Sequence, residues 1–345
     1  MNSFKIDNTF FNISKELPKD ILIKSHPTDY KVSFKEFTNN FNKDDVILVD
    51  SKVKSLYNIT HNKLIEIEAT EHNKSIETVL NVCENLLEYN FNKKNNLIVI
   101  GGGIIQDIGA FTSKMYKRGI NWIFYPTTLL SQCDSCIGGK TALNFKHYKN
   151  QLALFSSPKE VIIDTNFLNT LQPEDITTGY GEIVKLFLTG WYYYIDNLNE
   201  WSIEEKIKHS LLIKKAVVEY DEFELCERKS LNYGHSFGHV IEPLTNYKIP
   251  HGEAVLLGIE IINKLFDNNP KISNVINQFT DLNKISYLDS DKLTMGLLSD
   301  KKVSGNNISF VRVPHPGTTI FTNTEINKDL KAKVNELFTN WFWCF

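Results

Sequence analysis

The first half of the chain alternates short apolar runs with longer segments in which apolar residues recur every three or four positions. The apolar runs predict strands, and the helical spacing predicts helices between them. The predicted strands span residues 45–50, 63–69, 96–100 and 121–128, and the predicted helices span 76–89 and 106–116. Regular alternation of this kind is typical of a parallel sheet covered by helices.

From about Pro173 the pattern becomes mainly helical. Pro173 suits a first helical position, and acidic residues follow it in the first turn. The spacing of apolar residues predicts helices over 173–198, 204–224, 228–242 and 251–266. We therefore predict two domains, an α/β domain over residues 1–165 and a mainly α-helical domain over residues 166–345.

Composition restricts the class of protein. The 345 residues are 42% hydrophobic and 23% charged, which suffices for two sizeable cores. The net charge is −3 and no basic block stands out, which argues against nucleic-acid and membrane-surface partners. The sequence predicts neither a membrane span nor, in the segment MNSFKIDNTFFNISKEL, a signal peptide. Five cysteines give no disulfide framework, so we expect a reducing cytoplasm.

A glycine-rich turn, GGGIIQDIG at residues 101–109, lies between a predicted strand and a predicted helix. Glycines there let the backbone approach a phosphate, and a helix N-terminus favours that charge. Gln106 stands where the dinucleotide-binding fingerprint has its third glycine, and no lysine follows at the P-loop spacing. A nucleotide site and a plain strand–helix turn both remain open. Asp50 ends an earlier strand, where a carboxylate is placed to accept hydrogen bonds from a ribose.

The segment CDSCIGGKTALNF, residues 133–145, contains a C-x-x-C pattern. A thioredoxin-like redox pair is one interpretation, and two cysteines alone do not make a closed zinc site. The polar residues around the pattern fit a pocket for an anionic ligand better, although ordinary loop polarity would look the same. These residues are Asp134, Lys140, Lys149 and Asn150.

Candidate metal ligands recur in the C-terminal half. Glu182 lies on one predicted helix, His235 and His239 lie four positions apart on another, and His251 begins a third. One carboxylate and two imidazoles, with room left for substrate or water, form the ligand set of a catalytic zinc. Histidines satisfied at the protein surface are the alternative for His235 and His239 taken alone.

The stretch RKSLNYGHSFGHVIE, residues 228–242, places four polar residues at gaps of four, three and four. On an α-helix these gaps keep Arg228, Asn232, His235 and His239 on one face. Apolar residues fill much of the remaining surface of such a helix. The polar face is therefore expected to meet solvent or a polar cavity.

Taken together in chain order, these motifs resemble the dehydroquinate synthase family of sugar phosphate cyclases. The resemblance covers roughly residues 45 to 312. It is carried by GGGIIQDIGAF (101–111), YKRG (116–119), PTTLLSQCDSCIGGKTALN (126–144), YKN (148–150), GYGEIVK (179–185), KKAVVEYDEFE (214–224), RKSLNYGHSFGHVIE, HGEAV (251–255) and DKK (300–302).

The resemblance implies a Rossmann-like NAD-binding domain over 1–165 and an α-helical metal- and substrate-binding domain over 166–345. It implies that zinc or cobalt is bound by Glu182, His235 and His251. It implies that NAD is lined by Asp50, Glu71, Lys74, Gly102, Gly103, Asp107, Thr127, Thr128, Lys140, Lys149, Phe167, Thr170 and Leu171. It implies that the substrate is surrounded by Arg118, Asp134, Lys140, Lys149, Asn150, Lys185, Lys214, Arg228, Asn232 and His239, with one or both of Lys301 and Lys302 reaching it.

The implied reaction converts 3-deoxy-arabino-heptulosonate 7-phosphate into 3-dehydroquinate and phosphate by transient oxidation, phosphate elimination, reduction and an intramolecular aldol step. Arg228 and Asn232 favour a carboxylate-bearing substrate, since an arginine fork binds carboxylate bidentately. A related cyclase of secondary metabolism remains an alternative, with sedoheptulose 7-phosphate, an amino-heptulosonate phosphate or glucose 6-phosphate as substrate. A metal-dependent alcohol dehydrogenase and a non-catalytic protein of the same fold also remain open. The resemblance further implies a homodimer.

Overall fold

The computed structural model describes residues 2–146, 148–190, 195, 198–299, 303–304 and 306–341. The strands are β1 Asn2–Ile6, β2 Thr9–Ile13, β3 Asp20–Ile23, β4 Tyr30–Phe34, β5 Val46–Asp50, β6 Leu64–Ile67, β7 Asn96–Gly101, β8 Asn121–Pro126, β9 Lys140–Phe145, β10 Tyr148–Phe155, β11 Glu160–Ile163, β12 Val303–Ser304, β13 Asn307–His315 and β14 Thr318–Glu325. The helices are α1 Ser51–Leu56, α2 Ile76–Glu88, α3 Gly103–Met115, α4 Pro173–Gly190, α5 Ile203–Tyr220, α6 His235–Leu244, α7 His251–Phe266, α8 Pro270–Ile276, α9 Ser290–Gly296 and α10 Lys328–Trp341.

The chain divides into two compact units, and the predicted boundary between residues 165 and 166 needs correction. One unit is Leu17–Gln172, and the other joins the residues up to Glu16 to those from Pro173 onward. The first sixteen residues belong with the C-terminal unit because β1 pairs in parallel with β14. The short 3-10 helix Thr165–Thr170 stays with the α/β unit because Phe167 is buried in its core.

The unit Leu17–Gln172 is built on a seven-stranded sheet with the order β3-β4-β11-β8-β7-β5-β6. Neighbouring strands are parallel except β3 and β4, which run antiparallel at one edge. The central strand β7 is buried along almost its whole length, as expected of an apolar strand within a parallel sheet. The predicted parallel α/β architecture is therefore confirmed.

The strand order of this sheet reverses between β5 and β7. From β5 the chain continues to β6 on one side, and from β7 it continues to β8 and β11 on the other. Ligands of open parallel sheets bind at the carboxyl ends of the strands at such a reversal. Asp50 ends β5 and Gly101 ends β7, so both predicted nucleotide-binding elements lie at this edge.

The C-terminal unit contains helices α4 to α10 and a five-stranded sheet with the order β12-β13-β14-β1-β2. The prediction of a mainly helical domain is confirmed, and α7 has the predicted bounds. The sheet was not predicted, because two of its strands come from the N-terminus and one of them, β1, pairs with β14 across more than 300 residues of sequence. Within the described residues, no helix is both long and apolar enough to span a membrane.

The helix predicted over residues 228–242 is two separate elements. Glu227–Asn232 forms a 3-10 helix, and α6 begins only at His235. Gly234 between them has a φ of +79°, which glycine adopts without a steric penalty. A β-carbon there would lie 2.4 Å from the carbonyl oxygen of Val255 in α7, so close packing also requires glycine. The prediction that four polar residues share one helical face is therefore wrong.

Candidate functional site

Three potential metal ligands converge in the C-terminal unit, and they come from α4, α6 and α7. Oε1 of Glu182 lies 3.5 Å from Nε2 of His235 and 3.3 Å from Nε2 of His251. Zinc binds carboxylate oxygen and imidazole nitrogen at about 2.0–2.2 Å, so two ligand atoms of a tetrahedral ion lie roughly 3.4 Å apart. The observed separations match the edges of such a ligand shell. The three side chains therefore fit a zinc or cobalt ion.

Hydrogen bonds orient both imidazoles toward the same point. Nδ1 of His235 lies 3.2 Å from the carbonyl oxygen of Tyr233, and Nδ1 of His251 lies 3.2 Å from Oε2 of Glu242. Both acceptors favour the tautomer with the proton on Nδ1, which leaves the Nε2 lone pairs directed toward Glu182. Metal-binding histidines commonly have such a carbonyl or carboxylate partner. Sequence reasoning missed Glu242, although it ends the stretch RKSLNYGHSFGHVIE.

Charge around the cluster favours a cation. Burial lowers the pKa of His251, but hydrogen bonds with Glu182 and Glu242 outweigh burial and raise the pKa to about 10. A metal ion bound at Nε2 takes the place of that proton, so metal and proton compete for the same nitrogen. Lys185, buried on α4, forms an ion pair with Oε2 of Glu182. The other oxygen of Glu182 is the one that faces the two imidazoles.

Helices α4 and α7 touch at two glycines, which explains why the ligands meet. A β-carbon on Gly181 would lie 2.2 Å from the carbonyl oxygen of Gly252, and one on Gly252 would lie 2.1 Å from that of Thr178. Only hydrogen atoms at both positions allow the two backbones to approach so closely. Gly181 precedes Glu182 and Gly252 follows His251. The contact between the backbones therefore brings carboxylate and imidazole together.

His239 lies beside this cluster. Its ring centroid is 5.1 Å from that of His235 and 5.9 Å from that of His251, and its side chain is exposed. The structure thus places one predicted substrate-binding residue at the open side of the candidate metal site. Lys301 and Lys302, which were expected to reach the substrate, lie outside the described residues.

Three further residues predicted to bind substrate lie in the same unit. Lys214 is buried on α5, and Arg228 is buried in the 3-10 helix that precedes α6. The guanidinium of Arg228 donates to the carbonyl oxygen of Glu222 through Nη1. Asn232 donates to Oε1 of Glu224 at 2.9 Å. A single short loop therefore contacts both Arg228 and Asn232.

In the α/β unit the glycine turn closes β7 and opens α3. Gly102 occupies the N-cap position of α3. As a glycine it has no side chain that could accept a hydrogen bond from the first N–H groups of the helix. Among the described residues, nothing lies within 4 Å of where a β-carbon of Gly103 would stand, so the turn is open there. Thr127 donates its N–H to the carbonyl oxygen of Gly101 at 3.0 Å, and Thr128 lies against Gly102. This open, uncapped helix N-terminus can accept a phosphate group.

Gln106 departs from the dinucleotide-binding fingerprint for a structural reason. Its side-chain amide donates to the carbonyl oxygen of Ser135 at 2.7 Å, and the Ser135 hydroxyl donates back to Oε1 at 2.6 Å. This pair links α3 to the π-helical turn Ser131–Ser135. Cys133 and Cys136 are buried there as free thiols, each near a backbone carbonyl. They pack as small apolar groups, and the redox interpretation gains no support.

Three predicted ligand-binding residues of the α/β unit meet in one cluster. Nζ of Lys74 lies 2.6 Å from Oδ2 of Asp107 and donates to Oδ1 of Asn150 at 2.8 Å. Asp107 also accepts the N–H of Ala142 at 3.2 Å. Burial raises the pKa of the Asp107 carboxyl, and the Lys74 ammonium opposes that shift. This cluster joins the start of α2, α3 and the β9–β10 hairpin.

Glu71 and Lys149 lie on the outer side of this hairpin. Oε2 of Glu71 accepts a hydrogen bond from Asn144 at 2.7 Å, and Oε1 lies 3.8 Å from Nζ of Lys149. Asp50 caps α1 by accepting the N–H of Lys52 at 3.2 Å, and burial raises its pKa. Asp50 also ends β5, at the edge of the sheet where the strand order reverses.

Other predicted residues are not brought together. Asn150 lies beside Asn144, whereas Lys140 begins β9, four residues or about 13 Å away along the strand. Asp134 lies in the π-helical turn. Arg118 is exposed beyond the last residue of α3, about 20 Å from the glycine turn at the other end of that helix. These residues cannot all contact one ligand group within the α/β unit.

The segment after β11 was predicted to line NAD, and its three predicted residues lie in different environments. Phe167 is buried in the core, with its ring centroid 4.6 Å from that of Tyr57. Its side chain is therefore occupied by packing, and this part of the prediction is corrected. The hydroxyl of Thr170 lies 3.1 Å from that of Tyr57, and Leu171 is half-buried.

Comparison of the sequence with known proteins identifies one family along most of the chain. Residues 64–178 match the family model for the 3-dehydroquinate synthase N-terminal region, and residues 179–303 match that for the C-terminal region. A 3-dehydroquinate synthase of Pelagibacter ubique (strain HTCC1062) is 35% identical, and the alignment covers 94% of each chain. The predicted resemblance is confirmed.

Solved structures agree on the fold. A 2-deoxy-scyllo-inosose synthase complexed with carbaglucose-6-phosphate, NAD+ and Co2+ matches with a TM-score of 0.79 at 21% identity, covering 92% of this chain and 99% of that one. A 2-epi-5-epi-valiolone synthase from Streptomyces hygroscopicus subsp. jinggangensis 5008, with NAD+ and Zn2+ bound, matches with a TM-score of 0.75 at 20% identity, with the same coverage. At these identities the likeness establishes the two-part fold alone.

Proposed function

The chain belongs to the 3-dehydroquinate synthase family, and on this premise we propose that it converts 3-deoxy-arabino-heptulosonate 7-phosphate into 3-dehydroquinate and inorganic phosphate. The reaction class is phosphate elimination followed by closure of a carbocycle. The observation that carries the proposal is the convergence of Glu182, His235 and His251 at the spacing of a metal ligand shell.

We assign the divalent cation, zinc or cobalt, to these three ligands. A zinc ion held there supplies a Lewis acid for an oxygen of the substrate. Glu242 holds His251 in the ligand tautomer through Nδ1. Lys185 neutralises one oxygen of Glu182, so the carboxylate is held with its other oxygen toward the imidazoles. His239, whose ring lies 5.1 Å from that of His235, would donate a hydrogen bond to a substrate hydroxyl.

We assign NAD to the α/β unit, where the uncapped N-terminus of α3 suits a pyrophosphate and Asp50 suits a ribose. The nicotinamide supplies a reversible hydride acceptor, so turnover leaves no net oxidation. Lys74 and Asp107 form a half-buried ion pair, and Lys74 also holds Asn150 by a hydrogen bond. The remaining proposed contacts are Glu71, Gly102, Gly103, Thr127, Thr128, Lys140, Lys149, Thr170 and Leu171.

The substrate carries a carboxylate and a phosphate, and the proposed partners are cationic or amide groups. In the C-terminal unit these are Lys214, Arg228 and Asn232, of which Arg228 offers a planar fork suited to a carboxylate. In the α/β unit these are Lys140, Lys149 and Asn150, whereas Asp134, as a carboxylate, would accept a hydrogen bond from a substrate hydroxyl. Arg118 is left out of this set, because it lies beyond the far end of α3.

A heptulosonate is favoured over the substrates of related cyclases by sequence likeness over nearly the whole chain. The direct test incubates the protein with NAD, zinc and a panel of heptulosonate, heptulose and hexose phosphates. We expect phosphate and the carbocyclic product to appear together from 3-deoxy-arabino-heptulosonate 7-phosphate, without accumulation of NADH. Steady NADH accumulation without phosphate would instead indicate a dehydrogenase, and turnover of sedoheptulose 7-phosphate or glucose 6-phosphate alone would indicate another cyclase.

The metal assignment has its own test. We expect His235→Ala to lose bound zinc, measured by elemental analysis, together with turnover, because one of three ligands is removed. His315→Ala is the matched control, since His315 is an exposed histidine of β13 in the same unit. Wild-type zinc content in the His235→Ala variant would exclude that ligand.

We also propose, from the resemblance, a homodimer, and from cysteine usage a reducing cytoplasmic location. In the described residues Cys83, Cys133, Cys136 and Cys226 are all free thiols. Sedimentation equilibrium measures the subunit number, and a monomer at micromolar concentration would contradict the dimer.

A further inference from the structure

The loop between α5 and α6 is organised by one buried carboxylate. Oδ1 of Asp221 accepts the N–H of Leu225 at 2.8 Å, and Oδ2 accepts the N–H groups of Cys226 at 2.8 Å and Arg228 at 3.0 Å. Asp221 is only 6% exposed. Burial raises the pKa of its carboxyl, but these three N–H groups outweigh burial and lower the pKa. The loop therefore wraps around a charged acceptor that stays ionised.

The backbone of this loop needs such support. Glu224 has a φ of +60°, a left-handed conformation that a residue with a β-carbon adopts only at a cost. This conformation has two consequences for the residues assigned to substrate. The carbonyl oxygen of Glu222 accepts from the Arg228 guanidinium, and the carboxylate of Glu224 accepts from Asn232 at 2.9 Å. The path of the loop thus sets the direction of both side chains.

The N-terminal strands hold the loop from outside. The Thr9 hydroxyl, at the start of β2, donates to Oε1 of Glu227 at 2.8 Å. The ring of Phe11 packs edge-on against that of Tyr220, with centroids 5.4 Å apart, at the point where α5 ends. The first thirteen residues, to which sequence reasoning assigned no role, therefore brace both ends of the segment that precedes Arg228.

We propose that Asp221 is a positioning residue for substrate binding, acting through the loop that directs Arg228 and Asn232, with the Thr9–Glu227 contact as an outer brace. The inference rests on the proposed function, which assigns those two residues to the substrate. On this proposal Asp221 acts only through the loop and not by contact with the substrate. Its removal is expected to weaken substrate binding and to leave the metal ligands in place.

The test is Asp221→Asn in the full-length protein loaded with zinc and NAD. Asparagine keeps one acceptor oxygen, but its amide NH2 group would face the N–H groups of Cys226 and Arg228 where Oδ2 stood, so both of these hydrogen bonds are lost. We expect KM to rise about tenfold, as for loss of a hydrogen bond to a charged group, with kcat changed less than about threefold and zinc content unchanged. Thr9→Val, which lacks the hydroxyl, is expected to raise KM by about two- to threefold.

A matched control separates positioning from general destabilisation. Asp267→Asn alters another hydrogen-bonded carboxylate of the same unit, whose side chain is 4% exposed and pairs with Arg312. We expect that variant to lose stability while KM stays unchanged. In an Arg228→Ala background, the effect of Asp221→Asn on KM should shrink, because the residue through which it acts is gone. An equal KM rise in both backgrounds, or in the Asp267→Asn control, would overturn the proposal.

Failure of the proposed function would be seen separately, because the kinetics use whichever sugar phosphate the wild-type protein turns over. Hydrogen exchange gives a readout that needs no substrate. The amides of Leu225, Cys226 and Arg228 should exchange at least about tenfold faster in the Asp221→Asn variant, with exchange in α7 unaltered. Unchanged exchange at those three amides would overturn the positioning role even if no substrate were turned over.

Discussion

Replacing Gly181 by alanine tests whether the metal cluster depends on the contact between two helix backbones. Gly181 lies inside α4, where alanine is intrinsically favoured over glycine by about 0.5–1 kcal/mol. Helix propensity alone therefore predicts a more stable protein. Packing predicts the opposite, because the new β-carbon would stand 2.2 Å from the carbonyl oxygen of Gly252.

The size of the effect follows from this distance. An ordinary contact begins at about 3.4 Å, so α4 and α7 must separate by about 1.2 Å at this point. Overpacking of this kind costs about 1–3 kcal/mol, which outweighs the gain in helix propensity. The same shift moves Glu182 relative to His251, whereas ligand distances in zinc sites tolerate only about 0.2 Å. We expect a net loss of about 1–2 kcal/mol in unfolding free energy and roughly tenfold or more weaker zinc binding.

Urea denaturation of the metal-free protein measures the stability, and competition with a chromogenic chelator measures zinc affinity. Thr177→Ala is the control, because it adds an alanine to the same helix at an exposed hydroxyl that donates to the carbonyl oxygen of Pro173 within that helix. That control should be neutral or slightly stabilising and should bind zinc normally. A Gly181→Ala protein that is more stable than wild type and binds zinc equally well would refute the packing argument.

Two further outcomes are expected. Glu242→Ala should weaken zinc binding by about 10–100-fold in the same chelator assay, because His251 loses the acceptor at Nδ1; Glu242→Gln, which keeps an acceptor, should lose less, and equal affinities in both variants would contradict the orienting role. His209 is buried against Trp201, and burial lowers its pKa to about 4 from an ordinary 6.5. In the unfolded chain His209 therefore binds a proton below about pH 6.5, whereas in the folded chain it does so only below about pH 4. The free energy of unfolding therefore falls as the pH drops from 6.5 to 4. The loss is at most about 3 kcal/mol, reduced by solvent screening, and urea unfolding of His209→Phe should show a flatter pH dependence between 6.5 and 4 than the wild type.

The architecture of the α/β unit was predictable because its signals are local. A buried parallel strand is a continuous apolar run, and the helix that follows it has a distinct period, as in the segments around β7 and α3. The glycine turn was also visible in the sequence. Its position at the carboxyl end of β7, where the strand order reverses, follows from the parallel topology. The β9–β10 hairpin was not predicted, because polar residues alternate there without a strong turn signal.

The helices of the C-terminal unit were predictable, but the connections between them were not. The gaps within residues 228–242 fitted one helical face, yet Gly234 adopts a left-handed conformation and packs against α7. The sequence alone does not show whether a glycine in a helical pattern continues the helix or adopts a left-handed conformation that ends it. The neighbouring helix decides this. The N-terminal strands were missed for a similar reason, since the partner β14 lies at the other end of the chain.

The proposed metal ligands show how local and long-range information combine. Residue types marked Glu182, His235, His239 and His251 as candidate ligands of a catalytic metal. The family resemblance then implied the set Glu182, His235 and His251. Their convergence depends on something the motifs do not state, the loss of side chains at Gly181 and Gly252 where two helix backbones meet. Each ligand stands next to a position that tolerates no β-carbon, so the geometry of the site is set by main-chain contact rather than by side-chain packing. Substitutions at these glycines should therefore weaken zinc binding as strongly as substitutions of the groups that orient the proposed ligands.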